Sequence, residues 1–420
     1  MKKLLLLLMA VFVFAGLQSQ VLKRLGDRAK QKMEQKAGDK VDKSIDDATS
    51  GKKKDKTEGN KEDEEKKEQD GTTQKQVLKY NSKYDFVQGE KVVGFEDFST
   101  TEIGDFPTRW NTNSSAEVVT LEKKEGKWMK FNKQAVFHPE FIKDLPENCT
   151  LEFDVAVNNG WGGSAFVLNI TNLKNANDFQ NYYHYVTWQG VHAVHLELKP
   201  GIMGAASSRI LAAKDGNYSV NNSIDFNTWD YENNTFAHVA LWRQKTRLRV
   251  YVNGEKIWDL PRAFDAESKY NGITFAADDS YKEADFYIIS NIRLAVGAPD
   301  TRNKLMTEGK FSTTGIRFNV NSDKLTPDSY GVLKELGATL KENADVKIKI
   351  IGHTDSDGDD KANMDLSKRR AEAVKTALTA DFGIDAGRME TDGKGETQPV
   401  GENKTPEGKA QNRRVEFIKL

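Results

Sequence analysis

Val346-Lys347-Ile348-Lys349-Ile350-Ile351-Gly352-His353-Thr354-Asp355 decides the reading of the C-terminal part of this chain. Val346, Ile348 and Ile350 alternate with Lys347 and Lys349, which predicts a strand with one buried face. Gly352-His353-Thr354-Asp355 leaves that strand and enters a polar loop, 356–361. Ligand sites favour such loops at strand ends. A helix is expected next, from about Leu366 to Ala380, capped by Asn363 or Asp365, whose side chains can accept from the free N–H groups of a first turn. Before the strand, Thr326-Pro327 opens another helix as cap and first residue, with Tyr330, Leu333, Leu336 and Leu340 on one apolar face. Strand, helix, strand, helix, strand and a final strand make a compact α/β layer.

Two arginines stand side by side in Leu366-Ser367-Lys368-Arg369-Arg370. At about 100° per residue, Leu366, Ala373, Val374, Ala377 and Leu378 form one apolar stripe. Arg370 falls in the middle of it and Arg369 well off it. An inward guanidinium needs an anionic partner, because an unpaired buried charge is costly. On these helix bounds Arg370 also lies in the first turn, where the helix dipole favours an anion. Two readings stand at this point. Either Arg370 binds a ligand carboxylate and Asp355 a ligand ammonium, as a zwitterionic amino-acid end requires. Or Asp355 and Arg370 pair with each other as a structural ion pair.

A third block, Asn412-Arg413-Arg414-Val415-Glu416-Phe417, closes the chain. With Gly352-His353-Thr354-Asp355, and with Asn363, Leu366-Ser367 and Arg370, it has the order and spacing of the OmpA-like peptidoglycan-binding domain, which residues 312–420 resemble. The resemblance implies anchoring to the cell wall rather than catalysis on it. It also implies the ligand: the diaminopimelate of the peptidoglycan stem peptide, held by Asp355 and Arg370, which favours the first reading. Ile316-Arg317-Phe318-Asn319-Val320-Asn321 looks like the family's first strand and the loop after it. Relatives often carry Asp where this chain has Asn319, whereas Asn321 can donate to a ligand carboxylate. Thr354 joins these as a ligand-binding position, and Gly352, His353, Asn363, Leu366, Asn412, Arg413 and Arg414 support the motif. Asn363 reads as a helix cap. Arg413 and Arg414 read as the start of a terminal strand, paired with sheet or helix carboxylates. Lys409 stands where relatives often have Arg. His353 reads as a hydrogen-bonded structural residue, not a metal ligand. No metal and no cofactor is expected.

With 420 residues, two or three domains are expected. The formal net charge of −1 argues against a general nucleic-acid binder. A single cysteine, Cys149, excludes an intramolecular disulfide framework and a Cys-rich zinc site. It reads as a small buried residue. Met1-Lys2-Lys3 and the apolar run 4–16 have the layout of a secretory signal, 1–19, ending at Ser19. No cysteine follows that run, so no lipid-modified N-terminus is expected. Residues 20–50 carry a thin apolar stripe (Leu22, Leu25, Ala29, Met33, Ala37, Val41, Ile45, Ala48) and read as an amphipathic helix. Residues 51–80 read as a charged disordered linker, since 51–75 contain no apolar residue to offset ordering entropy.

Residues 88–297 hold all seven tryptophans and read as an all-β sandwich of short alternating runs separated by Gly, Asn and Asp. Asn253-Gly254 is a tight-hairpin signal. Ala237-His238-Val239-Ala240-Leu241-Trp242, Val250-Tyr251-Val252-Asn253-Gly254 and Ile289-Ser290-Asn291-Ile292-Arg293-Leu294 loosely resemble the concanavalin A-like (laminin G) jelly roll. That superfold hosts lectins, adhesion modules and glycosidases, so it does not fix a function. Its glucanases use Glu-x-Asp-x-x-Glu; here Glu152 and Asp154 begin the pattern, but Val157 takes the last acidic place. Glu152 and Asp154 are then expected on the solvent face of an amphipathic strand. Tyr182-Tyr183-His184-Tyr185 with Trp188 reads as core packing over a sugar platform, and Asp278-Asp279 as a polar turn over a calcium site. His192 and His195, three apart in a strand, should face opposite sides.

The expected whole is an exported, periplasmic, outer-membrane-associated protein with no catalytic residues. Residues 298–311 read as the linker before the wall-binding domain. The partners expected are peptidoglycan, a carbohydrate or protein ligand of the jelly roll and an outer-membrane partner, with no nucleic acid. A glycan-active enzyme and a structural component of an envelope complex are the competing readings.

Overall fold

The computed structural model describes residues 85–420, apart from 123, 133, 182–190, 204, 278–284 and 298–303. The signal segment 1–19, the helix 20–50, the linker 51–80, the aromatic run Tyr182–Trp188 and the Asp278-Asp279 pair lie outside the described residues.

Two antiparallel sheets face each other. The first runs, in spatial order, Glu255–Leu260, Arg247–Val252, Phe236–Gln244, Asn148–Val157, Tyr287–Val296, Lys124–Phe131 and Ala116–Leu121, with Lys91–Glu96 also paired to Tyr287–Val296. The second runs Asn217–Phe226, Ala206–Lys214, His192–Lys199, Phe166–Thr171, Gly272–Ala277, Ala135–Pro139 and Trp110–Thr112. The period of two in these strands puts Leu151, Phe153 and Val155 inward against Phe166, Leu168 and Phe275 of the other sheet. Aromatic pairs close the gap: the Phe131 and Phe137 ring centroids are 4.2 Å apart, and those of Phe153 and Phe275 are 5.1 Å apart. Asn253-Gly254 joins Arg247–Val252 to Glu255–Leu260 as the sequence predicts. Cys149 is buried, and burial pushes its thiol up to about 12.

The C-terminal region has a four-stranded sheet in the order Lys310–Thr313, Val415–Lys419, Ile348–Gly352, Met389–Gly393. Three helices accompany it: α1 (Tyr330–Glu342), α2 (Asp360–Phe382) and α3 (Pro406–Asn412). Leu336 and Leu340 of α1 and Val374 and Leu378 of α2 pack with Ile348 and Ile350 in one core. The strand expected at Ile316–Asn321 is displaced. Pairing with Val415–Lys419 is made by Lys310–Thr313, and Phe318 forms only an isolated bridge to Leu325.

The segment read as a linker, 298–311, is built into this domain from Lys304 onward. Leu305 is fully buried in its core, and Lys304 pairs with Glu90 at 2.5 Å. Val87 enters the same core from the other end of the sandwich. Phe86 packs between Tyr251 and Trp242 of the first sheet and Tyr330 of α1. A Cβ on Gly331 would lie 2.0 Å from the Phe86 carbonyl oxygen, so α1 accepts that backbone only because position 331 is glycine.

Glu152 and Asp154 do not face solvent. Their strand turns Leu151 and Phe153 inward, and its outer face lies against the C-terminal domain. Glu152 is 0 % exposed and bonds Arg293 at 2.9 Å, Gln88 at 2.7 Å and Arg317 at 3.2 Å. Asp154 bonds His238 at 2.7 Å, and His238 also lies 3.7 Å from Asp328. Arg293 donates to Thr314 at 2.6 Å. Three acids and three bases thus share one junction. Burial alone would raise the Glu152 pKa, but Arg317, His238 and Arg293 hold it at about 2. Burial alone would lower the His238 pKa, but Asp328, Asp154 and Glu152 raise it to about 10.

Candidate functional site

The Ile348–Gly352 strand is central in its sheet, parallel to Met389–Gly393 and antiparallel to Val415–Lys419. Its C-terminal end therefore delivers His353, Thr354 and Asp355 to the sheet's rim. Gly352 lets α2 cross that end closely: a Cβ there would sit 2.2 Å from the Ser367 carbonyl oxygen. The His353 amide donates to the Arg414 carbonyl at 3.0 Å, and its buried ring lies 3.5 Å from the Glu416 carboxylate. His353 and then Arg414 hold Glu416 down at about 2. The ring is buried as a structural residue would be, but neither ring nitrogen makes a hydrogen bond among the described residues, against the hydrogen-bonded reading. The Thr354 amide donates to the Gly395 carbonyl at 2.9 Å, while its buried Oγ1 has no hydrogen-bond partner among the described residues.

Asp355 is only 7 % exposed. One carboxylate oxygen accepts from the Asp357 amide at 3.1 Å, and the other pairs with Arg413. Asn363 lies inside α2, not at its cap. Its side-chain amide donates to the Asp355 and Asp357 carbonyls at 3.4 and 3.0 Å and to Glu396 at 2.6 Å, so it ties down the Asp355 loop. The cap is Asp359, which accepts from Lys361 and Ala362 at 3.0 Å.

The helix therefore begins six residues earlier than the sequence predicts, and Arg370 is in its third turn, not its first. The dipole argument for an anion at Arg370 falls with that shift. The buried stripe is Asn363, Ser367, Ala371, Val374, Leu378 and Phe382, with Leu366 and Arg370 half-buried at its edges. Arg370 donates from Nε to the Ser322 carbonyl at 3.0 Å, and its guanidinium stands 5.0 Å over the Phe318 ring. It makes no ion pair among the described residues. Burial, and then the nearby Arg413, bring its pKa down to about 10, against the pull of Asp355. Arg369 is exposed and pairs with Asp365 at 2.8 Å.

Arg413 departs most from the sequence reading. It caps α3 rather than starting a strand, which begins at Val415. It pairs with Asp355, so the ion partner of Asp355 among the described residues is Arg413 and not Arg370. Arg414 does pair with a sheet carboxylate, Glu416, at 2.7 Å. Asn412 is fully buried and pins the turn before α3, accepting from the Val400 and Gly401 amides at 2.8 Å. Lys409 pairs with Asp357 at 2.7 Å. Asn319 and Asn321 are exposed on the loop closed by the Phe318–Leu325 bridge, the loop that supplies Ser322 to Arg370.

The site thus gathers Asp355, Arg370, Arg413 and the 318–325 loop at one rim. The Arg370 and Arg413 guanidiniums and the Asp355 carboxylate meet there, with Asp323 and Lys324 on the loop. Phe318 and the Arg413–Asp355 pair were not found from sequence. Helix α3 was also missed, although Thr405-Pro406 carries the same cap-and-first-residue signal as Thr326-Pro327.

A family model for the OmpA family matches residues 317–413. Outer membrane porin F of Pseudomonas aeruginosa is 41% identical over 101 residues, 24% of this chain and 29% of that protein. The probable lipoprotein YiaD of Escherichia coli is 43% identical over 102 residues, 24% of this chain and 46% of that protein. The peptidoglycan-binding protein ArfA of Mycobacterium bovis is 37% identical over 103 residues, 24% of this chain and 31% of that protein. The chain therefore spans less than half the length of each of these relatives. Among solved structures, the peptidoglycan-associated lipoprotein of Burkholderia pseudomallei is 29% identical and covers 26% of this chain and 89% of its own, with a TM-score of 0.24. Residues 317–413 of this chain are an OmpA family domain.

Proposed function

We propose that this is a non-catalytic cell-envelope protein that anchors to peptidoglycan through its C-terminal domain. The ligand is the diaminopimelate of the stem peptide. Its ammonium goes to Asp355 and its carboxylate to Arg370, with Thr354, Asn319 and Asn321 around them. The observation that carries this is Arg370: half-buried, positively charged at neutral pH, and with no carboxylate partner among the described residues. An arginine so placed forks a carboxylate. Arg413 beside it adds a second guanidinium facing the ligand carboxylate. The names of the relatives, among them a peptidoglycan-binding protein and outer-membrane proteins, support an envelope setting, in the periplasm at the outer membrane.

The sandwich on this reading is a concanavalin A-like jelly roll that binds carbohydrate or protein. A glucanase reading of Glu152 and Asp154 has no support, because both carboxylates are consumed in the junction and Glu152 is sealed from solvent. The test is sedimentation of the purified protein with insoluble peptidoglycan. Wild type should pellet. Asp355→Ala and Arg370→Ala, if folded, should stay in the supernatant, since losing one partner of a desolvated charged contact costs about 2–5 kcal/mol. Wild type left in the supernatant, or variants that pellet as well as it does, sinks the reading.

A further inference from the structure

The sandwich reaches the rim of the wall-binding site. Its Lys91–Glu96 strand lies along α3: Val92 and Phe95 form an apolar cluster with Ala410. The Val92 amide donates to Gln411 at 2.8 Å, and Gln411 donates back to the Glu90 carbonyl at 3.2 Å. Arg109 pairs with Glu407 and donates to the Phe95 carbonyl at 3.0 Å. Helix α3 is therefore clamped to the sandwich along its length. The residue that caps it, Arg413, lies with its guanidinium carbon 5.0 Å from the centre of the Phe95 ring. The same guanidinium holds Asp355.

We propose that Phe95 is a positioning residue for the Asp355 carboxylate, acting through Arg413. An arginine side chain has many rotamers, and a 34 % exposed guanidinium with one carboxylate partner is poorly fixed by that partner alone. The Phe95 face supplies the second constraint, a cation–π contact from below. Arg413 so held keeps Asp355 at the rim and keeps a positive charge next to Arg370. The sandwich thus tunes a site whose ligand contacts all lie in the other domain. The inference deepens the peptidoglycan reading and rests on it for the ligand.

The experiment uses the full chain, with meso-diaminopimelic acid as probe in titration calorimetry. Phe95→Ala and Phe95→Leu should weaken binding about three- to tenfold, and Phe95→Trp should retain it, because only the tryptophan keeps a π face. In an Arg413→Ala background, Phe95→Ala should change affinity less than about twofold. A second, ligand-free arm measures unfolding of Phe95→Ala, Asp355→Ala and the double variant. The two substitutions should be non-additive with Arg413 present and additive with Arg413→Ala. Coupled unfolding without any diaminopimelate binding by wild type would remove the ligand assignment and leave Phe95 positioning Asp355. Additive unfolding in the native background, or a Phe95→Leu variant that binds like Phe95→Trp, overturns the role of Phe95.

Discussion

At the scale of single residues, the site depends on spacing that no larger side chain tolerates. Gly352 faces the Ser367 backbone at a distance that leaves no room for a methyl group. Gly352→Ala should force α2 off the strand end and destabilise the fold by about 1–3 kcal/mol, read from denaturant midpoints. A wild-type midpoint would show that α2 can shift freely. Asp359 is a milder case. It satisfies two free amides at the start of α2, and Asp359→Ala should cost about 1 kcal/mol in the same assay. Part of the residue-level picture was legible in the sequence. Asp355, Arg370 and His353 lie at the same rim because their spacing along strand, loop and helix is local. The partner of Asp355 was not legible. Arg413 comes from a segment 58 residues away, and nothing in its neighbourhood signals that contact.

At the scale of elements, alternation predicted which strand positions repeat but not what each face meets. In Asn148–Val157 the inward Leu151 and Phe153 were readable. The outward Glu152 and Asp154 looked solvated because their cover is a different domain. Helix α2 starts six residues before the expected Leu366 because its first turn, Asp360-Lys361-Ala362, has only the small, exposed Ala362 as an apolar residue and so marks no buried face. The junction offers a pH test. The His238 pKa is raised from 6.5 to about 10, so its contribution is complete below pH 6.5 and is lost as pH rises towards 10. The Glu152 pKa is lowered from 4.5 to about 2, so its contribution is present above pH 4.5 and is lost as pH falls towards 2. The groups facing His238 are Asp328, Asp154 and Glu152, with Arg317 beyond them on Glu152. Wild type should lose stability between pH 7 and 10, and His238→Gln should lose distinctly less over that range. Parallel curves for the two proteins would rule out the histidine as the source.

At the scale of the molecule, sandwich and C-terminal domain behave as one body. Val87 and Leu305 flank the sandwich in sequence and are buried in the other domain's core, and six charged groups are shared across the junction. Calorimetric unfolding should show one cooperative transition rather than two. Two resolved transitions, or a sandwich fragment that stays soluble and folded after removal of residues 312–420, would contradict that. The fragment is expected to fail because it would expose Ala240 and Tyr251 and strand Glu152 and Arg293 without Arg317 and Thr314.

The entry of Phe86 and Val87 at α1 has a mechanical consequence. The chain meets the C-terminal domain before it has built a single strand of the sandwich, then returns to that domain at Leu305. Tension entering at Asp85 on a protein held at its Asp355 rim meets both domains at once: Asp85 is bonded to Tyr251 and Lys256 of the sandwich, and Phe86 packs against Tyr251 and Trp242 on one side and Tyr330 of α1 on the other. A pull at that point is borne by the seam between the two domains, not by either one alone.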